Sequence, residues 1–93
     1  MKHLERNDEE DFAKYALSRG CRAWKLIHEG RKGFLDRTVF MPGGRIFLAE
    51  FKIKGNETSP HQDNYIKILE KLGHKCYTPY SFNEAKEVLD SLL

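Results

Sequence analysis

The tripeptide Pro42-Gly43-Gly44 constrains this chain more than any other feature, because it stands between two runs that read as strands, Asp36 to Met41 and Arg45 to Ile53. Pro and Gly punctuate backbone structure strongly, and a short loop fixes the register of the hairpin it closes. If all three residues form the loop, Met41 faces Arg45, and counting outwards sets Asp36 opposite Glu50. Directly opposed residues of an antiparallel pair hold their Cβ atoms about 4.5–5.5 Å apart on one face, where like charges repel. Lys52, two residues beyond Glu50, shares that face. The register therefore predicts Asp36, Glu50 and Lys52 side by side. A two-residue Gly43-Gly44 turn would instead put Asp36 opposite Phe51 and break the group apart.

Two carboxylates held that close are costly unless a cation sits between them. Mg²⁺ or Mn²⁺ suits such a place, since hard ions take oxygen ligands, keep several waters and are commonly held by one or two carboxylates together with substrate phosphate. Glu50 and Lys52 taken alone also fit a solvent-facing pair on an edge strand. Against that reading, Ile46 and Leu48 share the Glu50 face while Phe47, Ala49, Phe51 and Ile53 line the other, so the strand reads as central, with both faces apolar at one end.

The rest of the chain supplies helices around this hairpin. Asn7 followed by Glu10 is a capping-box spacing that predicts a helix over 8–19, closed by Gly20. Its inward stripe holds Glu9, Phe12, Ala13 and Ala16, which puts a carboxylate on the packed face. Arg22 to His28 reads as a strand and Glu29 to Leu35 as a basic loop. Ser59-Pro60-His61-Gln62 opens a second helix whose inward stripe is Tyr65, Ile66, Leu69 and Leu72, with Gly73 at its end. Lys75 to Thr78 is a short fourth strand, and Ser81 with Glu84 caps a last helix carrying Ala85, Val88, Leu89 and Leu92. The expected order is α-β-β-β-α-β-α.

Ninety-three residues, 40% hydrophobic and 32% charged, suit one globular domain spanning 1–93, small enough that self-association would help its stability. No segment approaches the roughly 18 apolar residues of a membrane span. The opening MKHLERNDEEDF is charged where a secretion signal needs an apolar run, which points to the cytoplasm. Cys21 and Cys76 form neither a CxxC pair nor a disulfide framework and read as core thiols. His3, His28, His61 and His74 lack zinc-ligand spacing. The net charge of +2 is unevenly spread: residues 14–54 carry ten Lys or Arg against three acids, a distribution that fits either a phosphate-binding face or a solvated surface.

An acid on the first helix, then Asp36 and, beyond the hairpin, Glu50-Phe51-Lys52, is a pattern that resembles the PD-(D/E)xK nuclease superfamily. In finer detail the chain resembles the VRR-NUC family along almost its whole length. The parts are a first strand running into Lys25, the entry Gly33-Phe34-Leu35-Asp36-Arg37, the Gly-containing hairpin, E-x-K, S-x-x-Q at Ser59 to Gln62, and L-x-x-L-G-H at 69–74. Leu35 stands where the family usually has proline. The resemblance implies an α/β fold with a restriction-endonuclease-like αβββαβ core, a small mixed sheet flanked by helices.

It also implies metal-dependent hydrolysis of DNA phosphodiesters, in the cytoplasm of a bacterial or phage-infected host cell. Asp36 and Glu50 would hold Mg²⁺ or Mn²⁺ with the Phe51 carbonyl, and Glu9 would complete the site directly or through water. Lys52 would position the attacking water or stabilise charge in the transition state. Gln62 would reach that water or a phosphate, although helix capping also accounts for it. Lys25, Arg31, Lys32, Arg37 and Lys54 flank the acidic centre and are the candidate DNA phosphate contacts. Trp24, Tyr77 and Tyr80 are candidates either for stacking on bases or for core and interface packing. A homodimer acting on branched or junction-like DNA follows by family analogy. The alternative is a DNA-binding or scaffolding module that keeps the fold without catalysis, although a complete Glu9, Asp36, Glu50 and Lys52 set favours the enzyme.

Overall fold

In a computed structural model, residues 5–26, 34–52 and 60–93 are described. Three helices, α1 (Glu5–Ser18), α2 (Pro60–Lys71) and α3 (Phe82–Leu92), flank a mixed sheet of β1 (Arg22–Trp24), β2 (Arg37–Met41), β3 (Arg45–Ala49) and β4 (Lys75–Tyr77). The strands lie in the order β1-β2-β3-β4, antiparallel except for the parallel β3–β4 pair.

Pro42–Gly44 forms a single 3₁₀ turn, and Gly43 and Gly44 take φ of 83° and 77°, the left-handed region a side chain disfavours. Three residues are thereby spent in the turn, and Met41 pairs with Arg45, Val39 with Phe47 and Arg37 with Ala49. This is the expected register. The next pair outwards is Asp36 and Glu50.

Strand alternation divides the sheet. Ala23, Val39, Met41, Phe47, Ala49 and Phe51 face a core completed by Phe12 and Ala16 of α1 and Ala85 and Leu89 of α3. Thr38, Phe40, Ile46 and Leu48 point to the other side. There α2 approaches, with Gln62 reaching Glu50 and Tyr65 packing edge-on to Phe34 at 5.0 Å between ring centroids. Both helix ends expected at glycines are present: the N–H groups of Gly20 and Cys21 close α1 on Leu17 and Ala16, and those of Gly73 and His74 close α2 on Glu70 and Leu69. Ser81 accepts from the N–H of Glu84 and caps α3.

Three expectations need correction. Helix α1 begins at Glu5, so Asn7 lies inside it and is not its cap; Glu5 and Arg6 are good helix formers and carry the helix back past the apparent capping box. Leu72 is 70% exposed, because it sits in the closing turn of α2, where its N–H is shared between Ile68 and Leu69 and the wheel no longer applies. β1 ends at Trp24 rather than extending to His28, which, with Ile27, lies outside the described residues, as does the expected cap Ser59. Both thiols are free; Cys21 is buried, and burial pushes Cys76 up to about 11, which keeps it protonated at neutral pH.

Thr38 is buried at 5% exposure, and its Oγ1 has no hydrogen-bond partner among the described residues. A buried hydroxyl without a partner carries a desolvation cost that valine of the same shape avoids. Thr38→Val is expected to stabilise the protein by about 1 kcal/mol, read as a melting temperature raised by about 4–8 °C.

Candidate metal centre

Asp36 lies just before β2 and Glu50 just after β3, at the open end of the hairpin. Each carboxylate accepts from the backbone of the other strand. The Asp36 N–H donates to Glu50 Oε1 at 2.9 Å, and the Phe51 N–H donates to Asp36 Oδ2 at 2.9 Å. The two acids thus continue the ladder where main-chain pairing stops. Glu50 is 6% exposed and Asp36 is half-buried.

Two further links fix the Glu50-Phe51-Lys52 segment. The N–H groups of Glu50 and Lys52 donate to the carbonyls of Tyr77 and Pro79, each at 2.9 Å, which extends the β3–β4 pairing beyond the strands. With the backbone held this way, Phe51 is driven into the core against Phe12, at 5.8 Å between ring centroids. Alternation then sends Glu50 and Lys52 to the opposite face. Gln62, in the first turn of α2, donates its side-chain N–H to Glu50 Oε2. The Lys52 ammonium lies 5.4 Å from the ring centroid of Tyr80, a contact the sequence reading did not identify.

Glu9 is buried as its helical stripe predicts, on the α1 side of the sheet. Its Oε2 accepts from Arg37 Nε at 2.9 Å and lies 3.5 Å from Lys25 Nζ. Arg37 also donates to the Ala23 carbonyl at 3.0 Å, and its side chain is 13% exposed. It therefore ties α1, β1 and β2 together from within. The Lys25 side chain is 61% exposed. Arg31, Lys32 and Lys54 lie outside the described residues.

Two adjacent carboxylates, one of them buried, offer hard oxygen donors of the kind that suits Mg²⁺ or Mn²⁺. Among the described residues no group of three or more His, Cys, Asp or Glu is clustered to hold a metal. A pair of carboxylates completed by water and substrate phosphate is therefore the arrangement these residues allow.

No protein-family model matches the chain. It is similar to the candidate nuclease p44 of Acyrthosiphon pisum secondary endosymbiont phage 1, with 34% identity over 71 residues, covering 72% of this chain and 76% of that protein. It is also similar to a solved structure described as a VRR_NUC domain, with a TM-score of 0.83 and 25% identity, covering 92% of this chain and 94% of that one.

Proposed function

The chain belongs to the VRR-NUC family, and from that premise we propose that it is a metal-dependent DNA endonuclease. The observation that carries this reading is the reciprocal link of Asp36 and Glu50 across the hairpin end, with Lys52 on the same face and Gln62 closing over Glu50.

Asp36 and Glu50, with the Phe51 carbonyl, would hold Mg²⁺ or Mn²⁺, which would supply polarisation of the phosphoryl oxygen and a more acidic bound water. Lys52 places its ammonium where negative charge builds in the transition state. Gln62 orients the buried Glu50 carboxylate and reaches the attacking water or a phosphate oxygen. Glu9, on the α1 side of the sheet and engaged by Arg37 and Lys25, stands apart from the carboxylate pair and serves by fixing those two cations. Lys25, Arg31, Lys32 and Lys54 supply the positive surroundings that draw and position DNA, whereas Arg37, expected among them, is spent on Glu9 and the Ala23 carbonyl inside the fold. Branched DNA as substrate and action as a homodimer rest on family analogy; two sites related by a two-fold axis suit cuts in two strands.

The test is incubation with linear duplex, flapped and four-way DNA in Mg²⁺, Mn²⁺ or EDTA. Cleavage that requires either metal and is strongest on a branched substrate is expected. Cleavage that survives EDTA overturns the metal mechanism, and salt-sensitive binding without any cleavage points to a scaffold of the same fold. Either metal is also expected to raise the melting temperature, because a ligand bound only by the folded state stabilises it by about 2.7 kcal/mol at a hundred times its dissociation constant.

A further inference from the structure

The protein has one tryptophan, and 54% of it is exposed. A tryptophan usually buries most of its large apolar surface, so an open indole on a folded strand calls for an explanation. Trp24 pairs with Thr38 and Arg22 with Phe40, while Ala23 between them turns into the core. Trp24 and Arg22 are therefore on the same sheet face as Asp36 and Glu50. On that face α2 covers the β3–β4 side. The indole lies toward the β1 edge, braced by Phe40 at 5.5 Å between ring centroids with the rings tilted by 54°.

The surroundings of Trp24 are cationic. A hollow of about 290 Å³ between α1 and the edge of β1 is lined by Trp24 and Leu17 together with Lys14, Arg22 and Arg37, with no acidic side chain in its lining among the described residues, although Arg37 is paired with Glu9. Lys25 follows Trp24 directly, with its side chain mostly exposed and its ammonium 3.5 Å from the Glu9 carboxylate. Thr38, the register partner of Trp24, lies two residues from Asp36, which places Trp24 about 7 Å along the strand and one strand spacing of about 5 Å across from Asp36, with Glu50 one spacing further.

A flat, braced, solvent-facing ring among cations matches a ligand that is both polyanionic and planar. We infer that Trp24 is a stacking platform for an unpaired nucleobase of the DNA substrate, one or two nucleotides from the phosphate to be cut. Lys14, Arg22 and Lys25 hold the adjoining phosphates. Only a base freed from its stack offers a π face to the indole, so the site selects DNA with unpaired nucleotides beside the cut, as at a flap or fork. The inference rests on the nuclease reading and narrows its substrate class.

Because Trp24 is the sole tryptophan, its emission reports on this position alone. In EDTA, titration of the intact protein with a labelled oligothymidylate is expected to quench that emission as the label's anisotropy rises. Fully paired duplex is expected to bind with little quenching. Trp24→Ala is expected to weaken oligothymidylate binding by about tenfold or more, in the range seen for loss of one base–aromatic stack, and Trp24→Phe to recover part of it. Since the indole is already more than half exposed, both variants should melt close to the wild type. Oligothymidylate binding without a change in emission overturns the inference, as does equal affinity of Trp24→Ala, or the absence of any binding. An emission change that follows protein concentration alone, with self-association lost in Trp24→Ala, would overturn it by making this edge a contact between copies. Metal-dependent cleavage of junction or duplex DNA by the wild type reports on the nuclease reading separately.

Discussion

Lys52→Ala is expected to slow DNA cleavage by about 10²–10³-fold, the loss that follows removal of one preorganised charge stabiliser from a transition state. The substitution leaves the local fold in place, because the main-chain bond from Lys52 to Pro79 does not depend on the side chain. The metal-induced rise in melting temperature should accordingly persist in Lys52→Ala. Lys52→Arg is expected to recover little, since a planar guanidinium is not a substitute for a compact ammonium. The carboxylate variants separate from these. In Asp36→Asn an amide oxygen remains to accept from the Phe51 N–H, so the hairpin end holds while a ligand charge is lost. In Glu50→Gln the oxygen facing the Asp36 N–H also remains, but the new amide N–H₂ meets the Gln62 donor unless Gln62 turns its own amide over. Both should abolish the metal-induced thermal shift along with cleavage. A Lys52→Ala protein that cleaves at the wild-type rate would remove Lys52 from the chemistry, and a thermal shift that survives in Asp36→Asn and Glu50→Gln would place the metal elsewhere.

The hairpin was legible in the sequence because its register is a local property. Pro42, Gly43 and Gly44 select the turn, and the alternation on either side admits one pairing that buries Phe47, Ala49 and Phe51 together. Asp36 and Glu50 follow from it by counting. Glu9 was legible only in part: a helical stripe shows that a side chain points inward but not what it meets. Its partner Arg37 reads in the sequence as a candidate phosphate contact, whereas the ion pair with Glu9 and the bond to the Ala23 carbonyl form only once α1 has packed across β1 and β2. The Tyr80 contact with Lys52 was hidden for the same reason, since it depends on the chain leaving β4 beside the end of β3. Asn7 and Leu72 were misplaced at helix ends, where capping spacing and wheel geometry are weakest.

Stability and the site meet at Phe12. Its ring is fully buried and packs on Phe51, the residue between Glu50 and Lys52, so one aromatic contact fixes α1 to the segment that carries the chemistry. Phe12→Ala is expected to cost about 3–5 kcal/mol through lost burial and the cavity left behind. A domain of this size has on the order of 5–14 kcal/mol to lose, so the variant should give up about a fifth of its stability or more. At about 4–8 °C per kcal/mol, the melting temperature should fall by at least about 12 °C. Phe12→Leu keeps most of the volume and should lose far less. Release of Phe51 on the core side also loosens the backbone that holds Glu50 and Lys52 against Tyr77 and Pro79. Phe12→Ala should therefore need more metal than Phe12→Leu for the same thermal shift, although neither substitution touches a ligand. If Phe12→Ala melts within a few degrees of the wild type, α1 does not pack on the sheet through Phe12. If it melts low but takes up metal with unchanged affinity, the core and the carboxylate pair are independent.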